Sequence, residues 1–191
     1  MTVLEDRIEM ADVNEQTLDE LFDQMTVPEG YKAEVVEGAI YMSPQRDAHW
    51  ETIRWIVRAL EDRFGMHVKV FSDVRIDFPG RLNGYAPDVA KLRDNSKKID
   101  GRWRHEDVEF VAEVISKDTA KNDYGPKKIA YALAEVPVYL IADPYVGKVR
   151  LFTQPKDGDY VSDLSITYGA DVDLTATLLG LTLKTDEFPR D

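Results

Sequence analysis

An almost entirely apolar run at residues 108–115, VEFVAEVI, determines the architecture expected of this chain. Its length and its β-branched content are typical of a strand in the middle of a sheet, buried on both faces. A segment with helical periodicity follows at 119–134, and a second apolar run follows at 136–142. A strand, a helix and a strand in this order predict two parallel strands joined by a crossover helix. We therefore expect an α/β fold.

Weaker periodic patterns on either side of this unit predict the remaining elements. They are helices at 14–25 and 46–64, a hairpin at 32–43 that turns at Glu37-Gly38, strand signals at 67–78, 86–92, 149–153 and 160–166, and one or two short edge strands within 173–185. Because the hairpins are antiparallel, the sheet is expected to be mixed. We predict one domain over 1–191, with its core at about 27–185 and a flexible segment at 1–13. Helices flank its central sheet, a helix and a hairpin precede it, and edge strands follow it.

The composition is typical of an intracellular domain without a membrane anchor. The chain has 191 residues, 43% of them hydrophobic, which is enough for the core of one domain. It has no cysteine, so disulfides and thiolate zinc sites are excluded and a reducing compartment fits best. Residues 1–23 are acidic and polar, unlike a signal peptide, and no apolar stretch approaches the roughly 18 residues of a membrane span. We expect a cytoplasmic protein.

The net charge of −12 is concentrated at the two ends of the chain. Residues 1–25 carry −7 and residues 157–191 carry −6, so the remaining residues 26–156 carry +1. A strongly acidic protein is a poor partner for nucleic acid, because phosphate binding needs clustered lysine and arginine. Because the middle of the chain is close to neutral, the net charge does not exclude nucleic-acid binding there.

One segment of this middle part is distinctly basic. Residues 91–104 hold six lysines and arginines against two aspartates. Such a segment is either a solvated loop or a surface that contacts nucleic-acid phosphates. In the second case, Lys97, Lys98 and Arg102 are the candidate contacts.

Two carboxylates stand in unusual surroundings. Glu113 lies within the apolar run 108–115, and Asp88 lies in the short apolar strand 86–92, directly after Pro87. A lone ionised carboxylate in a buried strand is costly to desolvate, so Glu113 must be paired, protonated or bound to a cation. Carboxylates on two strands are the ligands that Mg²⁺ prefers, and a bound Mg²⁺ can activate water against a phosphodiester. The alternative is a glutamate at a strand end that reaches solvent or an arginine.

Lys127 is the candidate that would complete a phosphodiesterase site. Ala120, Tyr124, Lys127, Tyr131 and Ala134 share one stripe of the predicted helix, so Lys127 lies one turn from each tyrosine. A lysine there could stabilise negative charge on the reacting phosphate. The alternative is a lysine whose stem covers apolar surface while its amine reaches water.

Several short motifs, taken in their order and spacing, resemble one known family. They are Glu34-Val35-Val36-Glu37-Gly38, Ser43-Pro44, His49, Pro87-Asp88-Val89-Ala90, Glu113-Val114-Ile115-Ser116, Asp123-x-x-x-Lys127-x-x-x-Tyr131 and Val136-Pro137-x-Tyr139-x-x-x-Asp143-Pro144. No one of these motifs is specific by itself. Together, over roughly residues 15–185, they resemble the Uma2 family of restriction-endonuclease-like proteins.

The resemblance implies a fold, a reaction and a set of metal ligands. The fold is the PD-(D/E)XK nuclease core, a mixed central sheet with the active site at one end. The resemblance implies Asp88 and Glu113 as ligands of Mg²⁺ or Mn²⁺, joined by the carbonyl of Val114. It implies DNA as the substrate and a homodimer as the assembly.

The same resemblance implies three accessory residues. Glu34 has the position of an accessory acid, and His49 and Tyr131 have those of accessory polar residues. Glu34 and His49 also have a plainer interpretation from the sequence alone. Glu34 could be an ordinary hairpin residue, and His49 could be a histidine on the helix surface beside Trp50.

One departure from the nuclease signature leaves two functions open. The signature has a lysine two residues after the acid, and this chain has Ile115 there. Lys127 could bring an amine to the same place from the next helix, which would keep the protein a metal-dependent endodeoxyribonuclease. Otherwise the protein is a catalytically inactive binding or regulatory module of the nuclease fold. An unrelated enzyme is disfavoured, since no Gly-rich phosphate loop, Gly-x-Ser-x-Gly elbow or His-x-x-x-His site is present.

Overall fold

A computed structural model describes residues 17–44, 47–117 and 119–191 as an α/β arrangement with two larger β-sheets and four α-helices. The predicted flexible segment 1–13 lies outside the described residues, as does the start of the predicted helix at 14–25. None of the helices described is long and apolar enough to cross a membrane.

The elements are numbered in chain order. The helices are α1 (Leu18–Gln24), α2 (Asp47–Phe64), α3 (Ala120–Tyr124) and α4 (Pro126–Leu133). The strands are β1 (Tyr31–Val36), β2 (Ala39–Pro44), β3 (Val70–Phe71), β4 (Ile76–Phe78), β5 (Asn83–Tyr85), β6 (Val89–Leu92), β7 (Trp103–Arg104), β8 (Val108–Val114), β9 (Val138–Asp143), β10 (Lys148–Lys156), β11 (Asp159–Thr167), β12 (Val172–Asp173) and β13 (Thr182–Leu183). A short 3-10 turn, His105–Asp107, precedes β8.

The larger sheet has six strands in the order β11-β10-β9-β8-β6-β3. The strands β8 and β9 are parallel, and the other neighbouring pairs are antiparallel. Both parallel strands are buried along nearly their whole length. The predicted strand–helix–strand unit, its parallel pair and its mixed sheet are therefore confirmed.

Each face of this sheet carries its own hydrophobic core. On one face, α2 packs Ile53 and Ile56 against alternate residues of β8, among them Phe110 and Ala112. On the other face, Val111 and its neighbours pack with α4. Since successive strand residues point to opposite faces, Glu113 shares the α4 side with Val111.

The second sheet covers this α4 side. Its strands run in the order β2-β1-β5-β4-β7, and its residues Val36, Ile76 and Tyr85 belong to the same core as Val111. The predicted hairpin is confirmed. Its two-residue turn, Glu37-Gly38, has φ of +51° and +84°, as such turns require.

The crossover helix predicted at 119–134 consists of two helices. Gly125 separates α3 from α4 with φ −117° and ψ −106°, and Pro126 begins α4. Proline suits the first turn of a helix because N–H groups there have no acceptor within the helix, so the absence of one loses no hydrogen bond. A side chain at residue 125 would also come within 2.8 Å of the Lys121 carbonyl oxygen.

Two further segments differ from the prediction. The strand signal at 67–78 divides between β3 in the larger sheet and β4 in the second sheet, with Asp73 between them at φ +56°. The strands within 173–185 are present, but β12 and β13 pair with each other instead of extending a sheet edge. The reason is burial, since Val172 and Leu183 pack into the core beside α2.

Candidate active site

Asp88, directly before β6, and Glu113, on the neighbouring strand β8, meet in the larger sheet. The antiparallel register pairs Val89 with Ala112, which brings the two acids opposite each other. The backbone N–H of Asp88 donates to Glu113 Oε2 at 3.3 Å, and the backbone N–H of Val114 donates to Asp88 Oδ2 at 2.7 Å. Asp88 is 6% exposed and Glu113 is 1% exposed. The structure therefore provides the buried acid pair that the strand patterns predict.

Lys127 extends from α4 into the centre of an acid cluster. Its Nζ lies 2.7 Å from Glu113 Oε1, 3.0 Å from Asp123 Oδ1 and 3.1 Å from Glu34 Oε1. The residue is only 2% exposed. The alternative of a lysine whose amine reaches water is therefore wrong for Lys127.

The accessory residues suggested by the resemblance surround the same cluster. Glu34, on β1, also accepts from the Ala86 backbone N–H at 2.8 Å. Tyr131, on α4, donates a hydrogen bond from its hydroxyl to Glu113 Oε1 at 2.6 Å. His49, near the start of α2, has its Nε2 3.0 Å from the Ile115 carbonyl oxygen. Glu34 and His49 thus make long-range contacts, unlike plain hairpin or helix-surface residues.

The sequence interpretation assigned no role to three residues of the cluster. Lys32 places its Nζ 2.6 Å from Asp88 Oδ1 and 3.6 Å from Asp73 Oδ1. Asp123, which stands in the Asp123-x-x-x-Lys127 motif, lies at the end of α3, across the Gly125 bend from Lys127, and pairs with it. Two signals could have found Lys32 and Asp123: a lysine two residues before Glu34 on the same strand face, and an acid four residues before Lys127. Nothing local marks Asp73.

The cluster carries excess negative charge. Five carboxylates (Glu34, Asp73, Asp88, Glu113 and Asp123) are ion-paired with two ammonium groups (Lys32 and Lys127). Burial, with repulsion from Asp88, raises the pKa of Glu113 to about 8, and burial raises the pKa of Asp123 to about 6. Protons therefore offset part of the excess charge near neutral pH. A divalent cation could offset it instead.

The lysines carry full charge in this setting. Burial by itself lowers the pKa of Lys127, but attraction from Asp123, Glu113 and Glu34 outweighs it and raises that pKa well above its usual value. Burial likewise raises the pKa of Asp88 by itself, but the adjacent Lys32 ammonium outweighs it and the pKa of Asp88 is lowered. Asp88 is thus the ionised member of the acid pair.

The oxygen donors of the cluster are of the kind that a hard divalent cation prefers. Lys32 and Lys127 would compete with the cation for these oxygens. Asp88 and Glu113 offer carboxylate oxygens and Val114 lines the same cavity, in keeping with the oxygen ligands of Mg²⁺. Within the described part of the chain, no three Asp, Glu, His or Cys side chains converge into a metal-binding group. A cation would therefore depend on two carboxylates, backbone and water.

The acids form one wall of an open cavity of about 370 Å³. Ser43, Ser116 and Trp50 also line this cavity, and Trp50 is 59% exposed. A large exposed indole beside a polar cavity is well placed to stack on a flat ligand such as a nucleobase.

The predicted nucleic-acid contacts lie elsewhere. Lys97, Lys98 and Arg102 are not among the residues that line the cavity. Arg102 pairs with Asp19 at 2.6 Å, and Lys98 lies 5.5 Å from the ring centre of Trp103. The basic segment is therefore separate from the acid cluster, and its role in binding nucleic acid stays a prediction.

Comparison with known proteins shows a shared fold with a solved structure and membership of one family. A search of curated proteins finds no significant match. The crystal structure of "a putative nuclease belonging to DUF820" from Anabaena variabilis ATCC 29413 matches with a TM-score of 0.70 and 16% identity, over 91% of this chain and 97% of that chain. At this identity the match shows a shared fold. The model of the Uma2 family, described as "Putative restriction endonuclease", matches residues 19–186, so this chain belongs to the Uma2 family.

Proposed function

We propose that the protein is a metal-dependent endonuclease that hydrolyses phosphodiester bonds in DNA. The observation that carries the proposal is the buried pair Asp88–Glu113 at the wall of an open cavity, with the Lys127 amine 2.7 Å from Glu113. Two carboxylates on a β-sheet can hold a metal ion that activates water, and an amine from the adjacent helix can stabilise charge on the phosphate.

Asp88, Glu113 and the Val114 carbonyl would hold the ion, Mg²⁺ or Mn²⁺. When bound, such an ion polarises a phosphate oxygen and lowers the pKa of a water molecule. The protein supplies the orientation of these groups. Tyr131 fixes one Glu113 oxygen by its hydrogen bond, and the Val114 N–H fixes one oxygen of Asp88.

Lys127 would stabilise the negative charge that develops on the phosphate, in place of the lysine absent from position 115. The Ile115 side chain is buried in the core, 2% exposed, and does not line the cavity, whereas Lys127 does. Glu34 and Asp123 hold the Lys127 ammonium from two further sides. A charge held in place before reaction costs no reorganisation during it.

One observation favours the alternative, an inactive binding or regulatory module. Every carboxylate oxygen of Asp88 and Glu113 already accepts a hydrogen bond or ion pair from a protein group. A site whose acids are neutralised by Lys32 and Lys127 is stable without any ion. The two functions therefore differ in whether a cation displaces protein contacts.

The test is cleavage of supercoiled plasmid and of single-stranded DNA by the pure protein, in Mg²⁺, in Mn²⁺ and in EDTA. We expect products in at least one metal and none in EDTA. Absence of cleavage in both metals, together with absence of calorimetric Mn²⁺ binding, would favour the inactive module. Sedimentation of the same sample tests the predicted homodimer.

We expect Trp50→Ala to weaken binding of single-stranded DNA by at least about fivefold, because one base–aromatic stack contributes about 1–3 kcal/mol. Fluorescence anisotropy of a labelled oligonucleotide in EDTA measures this without cleavage. Met66→Ala is the control, since Met66 is also a large exposed apolar residue, 76% exposed, but does not line the cavity. Equal affinities of wild type and Trp50→Ala would exclude Trp50 from the binding surface.

A separate prediction concerns the basic segment 91–104 and the salt dependence of DNA binding. If Lys97 and Lys98 contact phosphates, the double change Lys97→Glu and Lys98→Glu weakens DNA binding and reduces the slope of log affinity against log salt by about 1–2. Anisotropy titrations at several NaCl concentrations measure the slope. An unchanged slope would mean that phosphates dock on another surface.

A further inference from the structure

Lys32 stands between two acids at unequal distances. Its Nζ lies 2.6 Å from Asp88 Oδ1 and 3.6 Å from Asp73 Oδ1. Its side chain is 12% exposed, against 28% for the Asp73 side chain at the cavity edge. The backbone N–H of Asp73 donates to the Pro87 carbonyl oxygen at 3.0 Å, which ties Asp73 to the residue before Asp88. The two acids are therefore adjacent acceptors for one ammonium group.

The two lysines of the cluster differ in how firmly they are held. Lys127 is in ion pairs with Glu34, Glu113 and Asp123, all within 3.1 Å, on three sides of its amine. Lys32 has one close partner and one more distant partner nearer to solvent. A small rotation of the flexible lysine stem is enough to exchange them. Lys32 is thus the ammonium of the cluster that can move.

The hydrogen bonds of Asp88 determine which of its two oxygens a cation could bind and which protein group it would displace. Asp88 Oδ2 accepts the Val114 backbone N–H at 2.7 Å, a contact fixed by the strand pairing. Asp88 Oδ1 accepts from Lys32. A cation bound to Oδ1 would face the Lys32 ammonium at close range, and two positive charges in a buried site repel strongly. Lys32 and a cation therefore compete for the same oxygen.

We propose that Lys32 is a positioning residue that occupies Asp88 Oδ1 in the cation-free protein and transfers its ammonium to Asp73 when a divalent cation binds. The inference rests on the proposed function, because it takes Asp88 as a ligand of the cation. The exchange keeps Lys32 paired in both states. It also lets Asp73 contribute to cation affinity without touching the ion.

The test is a thermodynamic cycle of Mn²⁺ binding, measured by calorimetry on the full chain without DNA. The variants are Lys32→Met, Asp73→Asn and the double variant. We expect Lys32→Met to tighten Mn²⁺ binding by about tenfold or more, since the competitor is gone, and Asp73→Asn to weaken it by several fold, since the displaced ammonium loses its acceptor. In the Lys32→Met background, Asp73→Asn should have no effect.

The double variant separates exchange from a general effect of charge. If Asp73→Asn weakens Mn²⁺ binding equally with and without Lys32, Asp73 acts only through its negative field and the exchange is wrong. Unchanged or weaker binding by Lys32→Met, or no binding by wild type and Lys32→Met alike, would also overturn it. Lys32→Gln, which keeps a neutral donor to Asp88, repeats the measurement if Lys32→Met does not fold.

The same data distinguish failure of the exchange from failure of the proposed function. Asp88→Asn should abolish Mn²⁺ binding. If it does so and DNA cleavage needs Mn²⁺, but the effects of Lys32→Met and Asp73→Asn are simply additive, only the exchange fails. If Asp88→Asn leaves Mn²⁺ binding intact, Asp88 is not a ligand and both fail.

Discussion

Glu113→Gln is expected to lower the rate of metal-dependent DNA cleavage by at least about a hundredfold, since removal of one group that stabilises the transition state commonly costs that much. The amide has nearly the shape of the carboxylate, and its oxygen can still accept hydrogen bonds from the Tyr131 hydroxyl and the Lys127 ammonium, while only the weak 3.3 Å bond from the Asp88 N–H is lost. It cannot offer the charge that binds a divalent cation. Plasmid cleavage with time, at saturating Mn²⁺, measures the rate.

Glu109→Gln is the matched control for this change. Glu109 lies on the same strand four residues earlier and is also paired with a lysine, Lys91, but it does not line the cavity. We expect Glu109→Gln to cleave DNA at close to the wild-type rate, with circular dichroism confirming that both variants are folded. A folded Glu113→Gln protein with wild-type activity would remove Glu113 from the proposed mechanism.

Lys127→Met is expected to destabilise the cation-free protein by about 3–5 kcal/mol, because removing one partner of a buried ion pair leaves the others uncompensated. Three carboxylates, those of Glu34, Glu113 and Asp123, lose their common counter-ion when the amine is removed. The methionine stem fills a similar volume, so the loss is one of charge and not of packing. Urea unfolding in EDTA at pH 9, above the raised pKa of Glu113, measures the free energy of unfolding with all three acids ionised.

Lys128→Met is the control for that measurement. Lys128 is the next residue on α4, and its ion-pair partner Asp159 has a side chain that is 68% exposed. An ion pair this close to solvent contributes about 1 kcal/mol or less. Equal losses from the two variants would mean that the acid cluster does not depend on Lys127. We also expect Lys127→Met, where folded, to lose DNA cleavage, whereas Lys128→Met keeps it.

The sheet and the central acid could be predicted from the sequence because their signals are local. The run at 108–115 is apolar on both faces, and only a strand between two others suits it. Glu113 is conspicuous within that run, since an unpaired charge there would be costly to bury. The helical spacing of Lys127 and Tyr131 was also sufficient to place both on one face, where both contact Glu113.

The crossover helix and the C-terminal strands show where local patterns fail. Helical periodicity runs through 119–134, but the backbone bends at Gly125, and Asp123 before the bend pairs with Lys127 after it. The strands β12 and β13 have ordinary strand patterns, and what they pair with depends on where the core beside α2 has room.

The sequence by itself determined the α/β class, the parallel pair and the candidates Asp88, Glu113 and Lys127. Each of these is indicated by the pattern of apolar and charged residues within a few positions of it. Only the tertiary structure decided how many acids share a lysine and which lysine pairs with Asp88. Glu34 and Lys127 are 93 residues apart in the chain, and Lys32 and Asp88 are 56 apart. Pairing across such distances follows from how the second sheet packs on the α4 side of the first, and that packing is not encoded in any local periodicity.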